Sequence, residues 1–166
     1  MLQGDRNADA INAKEFAFDP KGIDALVLSH AHIDHIGRVP LLVKRGFSGP
    51  IFAQAATCDL LPIMLLDAAS LSERAAEIAN KHHMHGEDDA QPLYDEDDVA
   101  AVLKLLHPLP YETYTEVLPV VRLTLNDAGH ILGSASIRLE LEGRGERRRL
   151  VFSGDLGNNG RPLLRN

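Results

Sequence analysis

Ser29-His30-Ala31-His32-Ile33-Asp34-His35-Ile36-Gly37 places three imidazoles and one carboxylate within six residues, in the order His-x-His-x-Asp-His. The apolar run Ala25-Leu26-Val27-Leu28 leads straight into it. That run is short and rich in β-forming residues, so it reads as a buried strand. The cluster then sits at the carboxyl end of a strand, where open α/β sheets place their sites. His30 and His32 are two apart, so in extended backbone they point the same way and can chelate one ion. Asp34 keeps that alternation and His35 breaks it. One loop can thus feed two positions, with His30 and His32 at one metal and Asp34 and His35 at a second. Neutral imidazoles with a carboxylate and no thiolate suit zinc, or else manganese or iron.

Matching residue types recur far downstream. Asp127-Ala128-Gly129-His130 and Ser153-Gly154-Asp155-Leu156-Gly157 each follow an apolar run that reads as a strand. Both put their polar group at a strand end, as the first cluster does, with small residues that let the backbone close in. His130 is placed to complete three imidazoles at the first metal, and Asp155 to bridge both.

The rest of the chain sets bounds. At 166 residues it is one domain's worth of sequence, with 45% apolar and 25% charged residues, the make-up of a globular protein with a real core. Its formal charge of −7 does not attract phosphate backbones by bulk electrostatics. The single cysteine, Cys58, rules out an internal disulfide framework and fits a reducing, cytoplasmic setting. Cys58 itself reads as a small core residue rather than a nucleophile. No apolar run approaches the ~18–20 residues needed to span a bilayer, and no membrane partner is expected.

In chain order, Asp19-Pro20-Lys21-Gly22 is a turn, and Val39 to Gly46 reads as a short helix with Pro40 near its start. Ile51-Phe52-Ala53 is a strand. Asp59 to Ala69 is apolar nearly all round and predicts a buried helix. Ser70-Leu71-Ser72-Glu73 matches a capping box and predicts a second helix through about Asn80. Residues 81–89, with His82, His83 and His85, read as a solvated loop rather than a metal site. Asp95-Glu96-Asp97-Asp98 opens a helix to about Leu106, its carboxylates capping the N-terminus rather than binding calcium. From Tyr111 the period becomes two, with strands over residues 113–118, 120–125, 134–141 and 150–152. Residues 142–149 between the last two form a hairpin tip, its arginines in solvent.

His30-Ala31-His32-Ile33-Asp34-His35, then His130, then Asp155 resemble the successive metal motifs of the metallo-β-lactamase fold. Asp127-Ala128-Gly129-His130-Ile131-Leu132-Gly133-Ser134-Ala135 and Phe152-Ser153-Gly154-Asp155-Leu156-Gly157 resemble more closely its β-CASP branch, RNA-processing nucleases similar to the cleavage and polyadenylation endonuclease. Pro92-Leu93-Tyr94 before the acid-led helix is similar to that branch too. The resemblance covers nearly the whole chain. It implies an α/β, four-layer αβ/βα sandwich, incomplete at both ends. On that resemblance residues 1–166 are expected to form a partial domain, its first strands absent and its chain ending before the expected β-CASP insertion. It implies a metal-dependent hydrolase of RNA phosphodiester bonds. Two Zn2+ ions (or Mn2+ or Fe) would be held by His30, His32, Asp34, His35, His130 and Asp155, with Asp34 and Asp155 catalytic. Missing strands leave sheet edges open, so a homodimer is an expected association. Two alternatives stand beside this reading: a small-molecule thioester, lactone or β-lactam hydrolase of the same fold, and a non-catalytic scaffold that keeps it.

Overall fold

The computed structural model describes residues 1–2, 8–82, 89–143 and 145–158. Its contacts divide the chain into two units. The first comprises Met1–Gly22, His32–Ser48 and Leu61–Lys104; the second comprises Ile23–Ala31, Gly49–Leu60 and Leu105–Asn166.

The second unit carries both sheets. β1 (Leu26–Val27), β2 (Ile51–Gln54) and β3 (Leu106–Leu109) form a parallel three-stranded sheet in that order, with Leu26 opposite Ile51 and Ile51 opposite Leu106. β3 overturns the expectation that the acid-led helix continues to Leu106. Leu105-Leu106-His107-Pro108-Leu109 is too short for periodicity to tell strand from helix, and pairing with β2 decides it. Pro108 is tolerated because β3 is an edge strand, where a missing N–H can face away from the ladder.

The other sheet is antiparallel: β4 (Thr115–Leu118), β5 (Val121–Asp127), β6 (Ala135–Gly143) and β7 (Glu146–Phe152), in sequence order. Period-two alternation sends Leu123, Leu125, Ala135 and Ile137 to one face, where they form a core with Phe52 of β2. Each leucine, isoleucine or phenylalanine so withdrawn from water contributes roughly 1.5–3 kcal/mol. The opposite face is charged. Glu140 lies across from Arg149 and Glu142 across from Arg147. Tyr114 Oη donates to Glu140 Oε2 at 2.9 Å, Arg149 Nη2 lies 3.2 Å from Glu140 Oε1, and Arg147 Nη2 donates to Glu142 Oε1. Arg147 and Arg149, expected at a solvated tip, are therefore exposed strand residues in cross-strand pairs, while Arg148 pairs with Glu146 of its own strand. Only residues 144–145 separate the two strands, and Arg144 lies outside the described residues.

The first unit is helical: α1 (Ala8–Asn12), α2 (Ile33–Ile36), α3 (Val39–Lys44), the larger part of α4 (Ala55–His82) and α5 (Glu96–Leu103). α4 is one helix of 28 residues, not two. Ser70 begins nothing, because neither Gly nor Pro interrupts the chain around it; Pro62 is accommodated inside. Nor is α4 buried all round: Ile63, Leu71 and Ile78 are each more than half exposed. Undivided, Ala55–Lys81 is long and apolar enough to cross a membrane by length and composition alone. The expectation that no apolar run approaches that length did not foresee this, because the segment reaches the measure by its mean hydropathy with polar residues interspersed. Of the loop expected over 81–89, Lys81 and His82 belong to α4, and residues 83–88 lie outside the described residues.

α5 begins as its acid run predicts. Asp95 Oδ1 accepts from the Asp98 amide at 2.9 Å and Asp98 Oδ2 from the Asp95 amide at 3.2 Å, a reciprocal capping box. The Asp98 N–H holds the Asp95 carboxyl below the usual carboxylate range. Lys44 Nζ, 2.7 Å from Asp98 Oδ2, ties α3 to α5. Asp95→Ala is expected to cost about 1 kcal/mol of unfolding free energy, and Asp95→Asn far less. Urea titrations of the two variants check this; equal losses would sink it.

Candidate metal centre

The backbone explains why these residues meet. β1 ends at Val27, and the chain stays irregular through His32, which caps α2 with an extended ψ of 143°. Its carbonyl takes the amides of His35 and Ile36, at 2.9 and 3.1 Å. The extended alternation therefore stops at His32. Asp34 and His35 lie on the first turn of a helix instead, so their directions follow helical geometry. Within the first unit they form a pair, His35 Nε2 to Asp34 Oδ2 at 3.6 Å.

In the second unit three residues from three strand ends converge. His30 follows β1, His130 sits between β5 and β6, and Asp155 follows β7. Each offers one ligand atom, and these atoms lie within 4.8 Å of one another. The His30 and His130 rings stand edge to face, centroids 5.1 Å apart and planes at 88°. His130 Nε2 is 3.7 Å from Asp155 Oδ2. Exposure rises from fully buried His30, through half-buried His130, to exposed Asp155. Such a set is anchored inside and open to solvent outside. His32 begins the first unit's next segment two residues after His30.

The loop carrying His130 is held by its own backbone. Asp127 Oδ1 accepts the Gly129 amide at 2.8 Å. The amides of His130 and Ile131 both donate to the buried Ser134 hydroxyl, at 3.1 and 3.2 Å. Tyr111 Oη donates to the Ser134 carbonyl at 2.8 Å, and Thr57 Oγ1 to the Gly133 carbonyl at 2.8 Å. The Asp155 loop is fastened to this one, Gly157 N donating to Ala128 O at 2.9 Å. The approach is so close that a Cβ on Gly157 would lie 1.5 Å from the Gly129 carbonyl oxygen, which is why a glycine follows the carboxylate. Ser134, Tyr111 and Thr57 hold the site; Ser134 stands inside the quoted motif without a role read from it, and Tyr111 and Thr57 are not evident from the sequence. Their only signal is proximity to a motif or to a strand end.

Cys58 is buried, and burial, aided by the Asp59 charge, pushes its thiol up to about 11. It stays protonated at neutral pH, as a core residue rather than a nucleophile.

Residues 3–165 match the Metallo-beta-lactamase superfamily. The chain is similar to the ribonuclease TTHA0252 of Thermus thermophilus, 37% identical over 164 residues that make up 99% of this chain and 32% of the relative. It is also similar to the transcription termination factor FttA of Methanosarcina mazei, 38% identical over 80% of this chain and 18% of that protein. FttA of Cenarchaeum symbiosum is 35% identical over 81% of this chain and 18% of its own length. The chain thus spans a third or less of the curated relatives it matches. Among solved structures, the native FEZ-1 metallo-beta-lactamase of Legionella gormanii aligns over 89% of this chain and 48% of its own, at 19% identity and a TM-score of 0.49.

Proposed function

The chain belongs to the metallo-beta-lactamase superfamily, and from that premise we propose that it serves the metal-dependent hydrolysis of RNA phosphodiester bonds, as part of a nuclease of the β-CASP branch. The observation that carries this reading is the convergence of His30, His130 and Asp155 from three strand ends, with ligand atoms within 4.8 Å. Two imidazoles and a carboxylate, with the thiol of Cys58 held protonated, are a donor set that zinc accepts.

His30, His32 and His130 would hold the first ion. Only one residue separates His32 from His30, so covalent geometry keeps their Cα atoms within about 7 Å. Asp34 and His35, paired on α2, would serve a second ion, with Asp155 shared between the two. A bound ion supplies Lewis acidity, activating water and stabilising charge on phosphoryl oxygens. The catalytic work of this chain's own groups falls to the carboxylates: Asp34 accepts a hydrogen bond from the attacking water and orients it, and Asp155 fixes the spacing of the ligand set. The branch assignment rests on the motifs around His130 and Asp155, and the RNA substrate on the names of the ribonuclease and termination-factor relatives. A cytoplasmic location is proposed from the lone, buried cysteine. Association with a further chain, a second copy included, is proposed at β7, every described side chain of which is exposed.

The test is cleavage of an end-labelled RNA by the purified protein, with a chromogenic β-lactam and a thioester assayed alongside. RNA cleavage lost on chelation and restored by zinc is expected. Hydrolysis of the lactam or thioester with RNA left intact would replace the nuclease reading by the small-molecule one. A protein that binds no divalent ion would replace both by the scaffold.

A further inference from the structure

We infer that Ser29 is a positioning residue that fixes the tautomer and ring orientation of His30, leaving Nε2 as the atom that faces the metal position. This inference rests on the metal reading proposed above. Ser29 Oγ lies 3.1 Å from His30 Nδ1. An imidazole nitrogen has one in-plane direction for a proton or a lone pair, so an Nδ1 aimed at the hydroxyl is not available to an ion. Two arrangements fit that contact. If Ser29 donates to Nδ1, the proton sits on Nε2 and the ring has no lone pair left for a metal. If Nδ1–H donates to Ser29 Oγ, Nε2 carries the lone pair that a metal takes. Only the second is compatible with His30 as a ligand, and a second hydrogen bond of this kind is the ordinary means of fixing a metal-bound histidine.

Ser29 is itself held on two sides within the second unit. Its carbonyl accepts the Ala135 amide at 2.8 Å, at the start of β6. The chain just before Asp155 passes close to its side chain: a Cβ on Gly154 would lie 3.0 Å from Ser29 Cβ and 3.4 Å from Ser29 Oγ. The backbone of Ser29 is thus fixed by β6, and the loop bearing Asp155 passes beside its side chain. His30 is fully buried, so water is a poor substitute for the hydroxyl as acceptor.

The experiment has two arms. The first is 15N NMR of the imidazole nitrogens in the metal-free full chain, at a pH where the ring is neutral. His30 is expected as the Nδ1–H tautomer in the wild type and in Ser29→Thr, and as a mixture in Ser29→Ala. The second is zinc affinity by competition with a chromophoric chelator. Ser29→Ala is expected to bind about 10- to 100-fold more weakly, the usual effect of losing an outer partner of a ligating histidine, and Ser29→Thr to restore most of it. A wild-type His30 protonated on Nε2 overturns the inference, as does a Ser29→Ala protein whose tautomer and affinity both match wild type. The wild-type spectrum needs no variant to fold. If the wild type binds no zinc, the metal reading fails, while the tautomer arm still decides the role of Ser29.

Discussion

His130→Ala is expected to lower divalent-metal affinity by at least about 100-fold, since loss of even an outer-shell partner costs about 10- to 100-fold, and to take metal-dependent RNA cleavage to background. The reason lies in where His130 sits. It is the contribution of the second half of the chain to a pair of imidazoles whose other member, His30, arrives a hundred residues earlier. Its ring stands edge to face with His30 and within 3.7 Å of Asp155. Its loop is also held by main-chain and neighbouring groups that do not involve the imidazole. The amides of His130 and Ile131 donate to Ser134, and Tyr111 and Thr57 fasten the neighbouring carbonyls. Truncation at Cβ leaves all of these bonds in place, so the variant should keep its fold and lose its ion. Elemental analysis after dialysis, paired with thermal unfolding of the metal-free protein, separates the two effects. Metal content equal to wild type would remove His130 from the ligand set.

Gly133→Ala is expected to have the largest effect on stability, about 2–5 kcal/mol. Gly133 has φ +80, a left-handed conformation that costs a residue with a Cβ roughly 1–2 kcal/mol. The new Cβ would also lie 2.4 Å from the Thr57 amide nitrogen and 2.7 Å from its hydroxyl. Thr57 is fully buried and donates to the Gly133 carbonyl, so it cannot retreat without breaking that bond. Overpacking of this kind adds about 1–3 kcal/mol. Urea unfolding of the metal-free variant measures the sum, and a loss under about 1 kcal/mol would mean that the contact yields more readily than its geometry implies. Relief of the clash by moving the loop would displace His130, three residues away, so metal affinity should fall as well.

Much of this was legible from residue order. The apolar runs before His30, before His130 and before Asp155 are the strands that carry them, and alternation over residues 120–125 and 134–141 gives the buried face of β5 and β6. The acid run at Asp95 caps α5 as its composition predicts. Where reading failed, two local signals were in competition. Ser70-Leu71-Ser72-Glu73 has the pattern of a capping box but lies within α4, because a cap works only where the preceding backbone leaves the helix, and nothing there makes it leave. Leu105 to Leu109 is too short to carry a period, and its state is set by a partner strand more than fifty residues away. Asp34 continues the spacing of His30 and His32, yet α2 begins at Ile33 and redirects it.

The sequence by itself determined the chemistry available: which imidazoles and carboxylates stand at strand ends, that the one thiol belongs to the core, and which glycines the turns need. Those properties follow from side-chain type and local period, both of which are written in order along the chain. Only the tertiary structure decided that His30, His130 and Asp155 come within ligand distance, that Ser134, Tyr111 and Thr57 hold the loop between β5 and β6, and that Ser29 faces His30. Closing a separation of a hundred residues depends on strand register and on backbone approaches such as Gly157 against Gly129. These are fixed by packing across the sheets, which no local stretch encodes alone.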